Sequence, residues 1–174
     1  MITQCFVDAD HAADTVSRKS RTGFIAYVNM SPVFWFSKKQ TTVETSSFGS
    51  DFVAMKNCTE YIRGLRYRLR MVGIQVLGPT YIYGDNQRVL YNTTKPESTL
   101  KKKSQSLCYH FVREGVARNE WRTGYIQSVN NPADILTKPL PATKRHFYTD
   151  LGKDFAQDFT EKCSHFAQYL HGKV

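Results

Sequence analysis

Two short apolar runs in this chain end on aspartate with a long stretch of helical periodicity between them, and that order limits the possible folds more than any other feature. Gln4-Cys-Phe-Val-Asp-Ala-Asp10 reads as a strand that delivers a carboxylate at its C-terminal end. Thr80-Tyr-Ile-Tyr83 reads as another short strand, running straight into Gly84-Asp85-Asn86. Between them Phe48, Phe52, Met55, Tyr61, Ile62, Leu65, Leu69 and Val72 recur at helical spacing. Ser46 or Ser47 serves as N-cap, and Gly73 marks the end. Asp8 and Asp85 meet only if their strands are adjacent and parallel, and a long helical crossover permits that pairing.

The remaining segments predict a mixed sheet with helices packed on it. Residues 11–21 are polar and basic without periodicity, hence a loop. Thr22–Val28 and Val33–Ser37 are rich in aromatic and β-branched residues and form a hairpin around Asn29-Met-Ser-Pro32. A short helix starts at Gln87, a second spans Leu107–Val116, and Glu120–Gln127 is the last strand. Asn130-Asn131-Pro132 breaks the chain before Ala133, where another helix is expected. Beyond Pro141 an amphipathic pattern of Phe147, Leu151, Phe155, Phe159, Phe166 and Leu170 predicts a helical extension packed on the domain or a partner. The expected organisation is one α/β domain over residues 1–142 with that extension over 143–174.

The length of 174 residues suffices for a buried two-layer core, and 41% hydrophobic residues point to a folded chain. A net charge of +9 suits binding to a polyanion such as nucleic acid, although an ordinary basic surface accounts for charge alone equally well. Cys5, Cys58, Cys108 and Cys163 form no C-x-x-C pair and no disulfide scaffold. They read as reduced thiols of an intracellular protein, in cytoplasm or nucleus and not secreted. No run of 18 apolar residues is present, so no membrane span is expected.

Aspartates at strand ends in a basic chain invite a chemical reading. Like charges raise one another's pKa, so a carboxylate cluster is unfavourable without cations. Hard oxygen donors select Mg²⁺ or Mn²⁺, and two such ions about 4 Å apart serve phosphodiester cleavage. Taken alone, Asp8, Asp10 and Asp85 are better explained as turn and cap residues. Ordered motifs tip the balance. Val7-Asp-Ala-Asp10, Arg21-Thr-Gly-Phe24, Trp35-Phe-Ser-Lys-Lys-Gln40, Tyr83-Gly-Asp-Asn-Gln87, Tyr109-His-Phe-Val-Arg-Glu114 and Ala133-Asp-Ile-Leu-Thr-Lys-Pro-Leu140 follow one another along the chain.

Over roughly residues 3–142 this series resembles the ribonuclease H domain that follows reverse transcriptase in copia-type retrotransposon polyproteins. The resemblance implies a ribonuclease H-like fold with a five-stranded mixed sheet flanked by helices. It also implies metal-dependent hydrolysis of the RNA strand of an RNA–DNA hybrid by two Mg²⁺ or Mn²⁺ ions, leaving 5′-phosphate and 3′-hydroxyl ends. Matching motif to motif puts metal ligands at Asp8, Asp85 and Asp134. The remaining ligand departs from the pattern. The family's Ser-Ser-Thr-Glu-Ala-Glu-Tyr corresponds to Ser46-Ser-Phe-Gly-Ser-Asp-Phe52, so its first glutamate is Gly49 and its second is Asp51, one methylene shorter. Asp51 is preferred over Glu44, which is off register. A family Lys-His-Ile-Asp segment is here Lys103-Ser-Gln-Ser106.

Nucleic-acid contacts are expected from Asn86, Lys38, Lys39, Lys101, Lys102 and Lys103. Asn86 serves equally as a helix N-cap, and the lysine run equally as a solvated face. Arg63, Arg66, Arg68 and Arg70 form in part a solvated face and in part a possible hybrid-binding ridge. His110, Trp35 and Trp121 read as packing residues, and Asp10 as structural. Partners implied are an RNA–DNA hybrid and a reverse transcriptase domain of the same polyprotein, with no membrane and no small-molecule cofactor. The alternative to an active nuclease is a catalytically weak or inactive ribonuclease H fold that binds nucleic acid or protein.

Overall fold

The computed structural model describes residues 1–29, 31–95, 97–98, 103–141 and 143, without the side chain of Lys103. The C-terminal amphipathic segment, Lys101 and Lys102 lie outside the described residues. Five strands, β1 (Thr3–Asp10), β2 (Arg21–Val28), β3 (Ser31–Lys39), β4 (Thr80–Gly84) and β5 (Trp121–Tyr125), form a sheet in the order β3-β2-β1-β4-β5. The first three pair antiparallel, whereas β1–β4 and β4–β5 are parallel. Helices α1 (Ser47–Met71), α2 (Gln87–Thr94) and α3 (Ser106–Ala117) supply the second layer. These elements make one compact unit, Met1–Lys138, and the expected α/β class with a five-stranded mixed sheet is what the chain forms.

Helix α1 runs 25 residues because each end is closed chemically. Ser46 caps the start, its hydroxyl accepting from the Gly49 backbone N–H at 3.3 Å. At the far end Gly73 takes a left-handed φ of +79°. Ile74 N–H then reaches back to the Leu69 carbonyl and Gly73 N–H to that of Arg70, and these two bonds stop the helix. Phe52, Met55, Thr59, Ile62 and Arg66 share its buried face. They pack on Cys5, Val7 and Ala9 of β1 and on Phe24 and Ala26 of β2, while Val89, Tyr109, Val112 and Trp121 complete the core.

Several elements differ from expectation. Strand β3 starts at Ser31 and runs to Lys39, two residues longer at each end, because an edge strand tolerates Pro32 and a bulge at Ala26/Tyr27 absorbs the register change. The segment after Asn131 is not an α-helix. It is a five-residue 3₁₀ helix, Pro132–Leu136, held by long-range contacts that no local periodicity encodes. The four arginines of α1 divide: Arg68 and Arg70 are exposed, whereas Arg63 and Arg66 are engaged within the domain. Arg66 is buried and donates to the Gly78 carbonyl at 2.7 Å and to Thr80 Oγ1 at 3.3 Å, tying α1 to the start of β4. Arg63 bonds Glu120 at 2.8 Å, with its guanidinium 4.4 Å from the Phe111 ring centroid and 5.1 Å from that of Trp121. His110 is exposed and Trp35 is 67% exposed on the edge strand, so neither is a packing residue, whereas Trp121 is fully buried.

Candidate metal centre

The parallel register builds the site. Phe6 pairs with Tyr83, so counting two residues onward along each strand brings Asp8 level with Asp85. A third acid comes from the 3₁₀ helix, which three side chains and one glycine fasten across the strand ends. Asn131, fully buried, donates from Nδ2 to the Val7 carbonyl at 3.0 Å and accepts from Ala133 N–H at 3.1 Å. Ser37 Oγ donates to the Leu136 carbonyl at 2.6 Å. Thr137 Oγ1 donates to Asp8 Oδ2. Gly23, paired with Asp8 across β1–β2, leaves room for the segment: a Cβ there would lie 2.6 Å from Thr137 Cγ2 and 3.2 Å from the Ala133 carbonyl. One carboxylate oxygen each of Asp8, Asp85 and Asp134 consequently lies within 4.8 Å of the others.

Two of those carboxylates are almost sealed, with Asp8 and Asp134 each 3% exposed. Burial, with help from Asp134 and Asp85, pushes the Asp8 carboxyl up, against the opposing pull of Thr137 and Lys138. Lys138 sends its ammonium into the group, 3.2 Å from Asp8 Oδ2 and 3.1 Å from Asp134 Oδ1. Burial disfavours that charge, yet the two carboxylates more than offset it and Lys138 is held firmly protonated. Asp85 accepts from Ser128 Oγ at 2.6 Å.

Asp51 stands beside this trio. It lines the same open cleft of about 500 Å³ as Asp8, Asp85, Arg88 and Lys138, and accepts a hydrogen bond from Asn86 Nδ2 at 2.8 Å. Burial pushes its carboxyl up to about 7, the Asn86 bond opposes, and the charges of Asp8 and Asp85 push the same way as burial. Asn86 also caps α2, accepting from Arg88 and Val89 N–H at 3.1 and 3.4 Å. Glu44 is committed elsewhere. It accepts from Gln105 at 2.6 Å and from Thr42 at 3.0 Å, and its Oε2 fills the space over Gly49, 2.6 Å from where a Cβ would be.

The expected basic contacts divide. Lys38 is exposed on β3, and Lys39 is exposed too but ion-paired with Asp14. Lys103 lies in a 3₁₀ turn, Lys103–Gln105. Sequence reasoning passed over Gly23, Ser37, Asn131, Thr137 and Lys138 as builders of the site. Gly23, Ser37, Thr137 and Lys138 lie within the matched motifs, so a signal existed, but nothing local says that they converge on Asp8. Cys5 and Cys58 are buried free cysteines whose Sγ atoms lie 2.8 Å apart, a proximity that their separation in sequence does not reveal.

No protein-family model matches the chain. The Retrovirus-related Pol polyprotein from transposon RE2 of Arabidopsis thaliana is 34% identical over 135 residues, 78% of this chain and 9% of that protein. The chain thus spans about a tenth of the length of the Pol polyproteins it matches. Among solved structures, RNase H1 from the archaeon Halobacterium salinarum superposes with a TM-score of 0.60 at 12% identity, covering 79% of this chain and 95% of the other. LC11-RNase H1 in complex with RNA/DNA hybrid gives 0.59 at 11% identity, covering 78% and 93%. By sequence the chain is homologous to a short stretch of retrovirus-related, copia-type transposon Pol polyproteins, and its fold is ribonuclease H-like.

Proposed function

We propose that the chain is a divalent-metal-dependent ribonuclease H that cuts the RNA strand of RNA–DNA hybrids. The observation that carries this reading is the convergence within 4.8 Å of Asp8 and Asp85, at the parallel strand ends, and Asp134 of the 3₁₀ helix, with Asp51 in the wall of the cleft that Asp8 and Asp85 line. Their fold likeness to an enzyme solved with an RNA/DNA hybrid supports it.

The donor set fits Mg²⁺ or Mn²⁺, because every candidate ligand is a hard carboxylate oxygen. Asp8, Asp51, Asp85 and Asp134 would hold two such ions, whose charge neutralises the scissile phosphate and acidifies the attacking water. The chain's own residues prepare that centre. Thr137 fixes one Asp8 oxygen, Ser128 orients Asp85, and Asn86 orients Asp51. Arg88 and Lys138 line the cleft and offer positive charge to the backbone on either side of the cut. Lys38, Lys39 and the Lys101–Lys103 run extend the contact, and the RNA strand is selected by its 2′-hydroxyls and groove shape. The working partner is a reverse transcriptase domain of the same polyprotein, inside the cell. Among the described residues no helix is long and apolar enough to cross a membrane.

A hybrid labelled on the RNA strand, offered beside duplex DNA and single-stranded RNA, tests this reading. Magnesium-dependent cutting confined to the hybrid's RNA supports it; equal cutting of all three, or of none, removes it. A second reading has its own observation. Asp51 replaces a longer family glutamate and is engaged with Asn86, so a hybrid-binding domain with weak or no cleavage is the outcome if binding is tight and cutting absent.

A further inference from the structure

We infer that Lys138 is a built-in, displaceable counter-ion, which holds Asp8 and Asp134 together in the metal-free fold and must be expelled before a divalent cation can use both carboxylates. The inference rests on the metal-dependent reading above.

Its ammonium sits 3.2 Å from Asp8 Oδ2 and 3.1 Å from Asp134 Oδ1, so it bridges two of the three carboxylates that converge at the candidate metal centre. Both acids are nearly sealed from water, whereas the Lys138 side chain is 36% exposed and lines the open cleft. The two acids are therefore fixed and the lysine has a way out. Its stem leaves the chain two residues after the 3₁₀ helix Pro132–Leu136, four residues on from Asp134, so it can swing outward without moving either ligand. Without some cation, two buried carboxylates at this separation repel each other strongly. Lys138 supplies that charge from within the chain. The same charge then competes with Mg²⁺ or Mn²⁺, and once released it lies at the cleft wall where a phosphate can take it up.

The inference separates two quantities that a merely structural lysine would move together. Lys138→Met and Lys138→Gln in the full chain should lower the melting temperature without metal, yet bind Mn²⁺ about tenfold or more tightly than wild type, by calorimetry or by counting free Mn²⁺ with electron paramagnetic resonance. Lys138→Arg should stay close to wild type. Weaker or unchanged Mn²⁺ binding in folded Lys138→Met and Lys138→Gln overturns the inference. The wild type provides a check that needs no variant: mass-spectrometric acetylation of Lys138 should rise on adding Mg²⁺, and unchanged or lower labelling overturns it. Asp85→Asn and Asp134→Asn distinguish this failure from that of the functional reading. If they bind Mn²⁺ like wild type, the carboxylate group is not the cation site and both fall. If they lose Mn²⁺ while the Lys138 variants gain nothing, the counter-ion inference falls alone.

Discussion

Burial and the charges of Asp8 and Asp85 push the Asp51 carboxyl up to about 7, against the bond from Asn86. Its unfolded value is about 4, so between roughly pH 4 and 7 the folded chain holds a proton that the unfolded chain has lost. Stability contributed by this group is therefore present at low pH and lost as pH rises through that window; Asp8, also raised, acts in the same sense. The metal-free protein should melt at a lower temperature at pH 8 than at pH 5, and Asp51→Asn should flatten that slope. Calorimetric scans in chelator check it, and an identical slope in the variant contradicts it. Asp8, Asp85 and Asp134 were legible from motifs, because a motif records which residue stands where. Which neighbour each acid meets was not legible. Glu44 lies close to Asp51 in sequence, yet its bonds to Gln105 and Thr42 remove it from the site. Lys138 sits inside a matched motif, but nothing local shows its ammonium folding back onto Asp8, 130 residues away.

At the scale of elements, two glycines make separable predictions. A Cβ at Gly115 of α3 would lie 1.9 Å from the buried Trp121 ring of β5, a rigid neighbour with nowhere to go. Gly115→Ala should destabilise by about 1–3 kcal/mol or more in chemical denaturation, with cleavage per folded molecule unchanged. A Cβ at Gly23 instead collides with Thr137, Leu136 and the Ala133 carbonyl, the segment that carries Asp134. Gly23→Ala should cost a similar amount and also weaken Mn²⁺ binding and cleavage beyond what the lost folded fraction explains. Equal effects of the two substitutions on activity per folded molecule would remove the positioning role assigned to Gly23. The contrast also shows why strands and helices were readable and the 3₁₀ helix was not. The periodicity of α1 is local, and the two strand-end acids plus a crossover implied a parallel pair. The Pro132–Leu136 segment takes its shape from Asn131 reaching Val7 and Ser37 reaching Leu136, contacts that span 124 and 99 residues.

For the molecule as a whole, the chain combines a net charge of +9 with an acidic cluster, and under the proposed function the two act on a hybrid in opposite ways. Basic side chains would attract the duplex, while the carboxylates would repel phosphate until cations neutralise them. Hybrid affinity should fall linearly with the logarithm of salt concentration, and Lys38→Ala should reduce that slope by about one. An unchanged slope places Lys38 outside the interface. The central claim is that the strand-end aspartates form a metal-dependent centre that cuts RNA. Single-turnover cleavage of a hybrid labelled on its RNA strand, in Mg²⁺, by wild type and by Asp85→Asn, tests that claim most directly. The account predicts that the variant is slower by a factor on the order of 10³ and that chelator abolishes the wild-type reaction. Equal rates for the two proteins, or wild-type cutting that survives chelator, would contradict it.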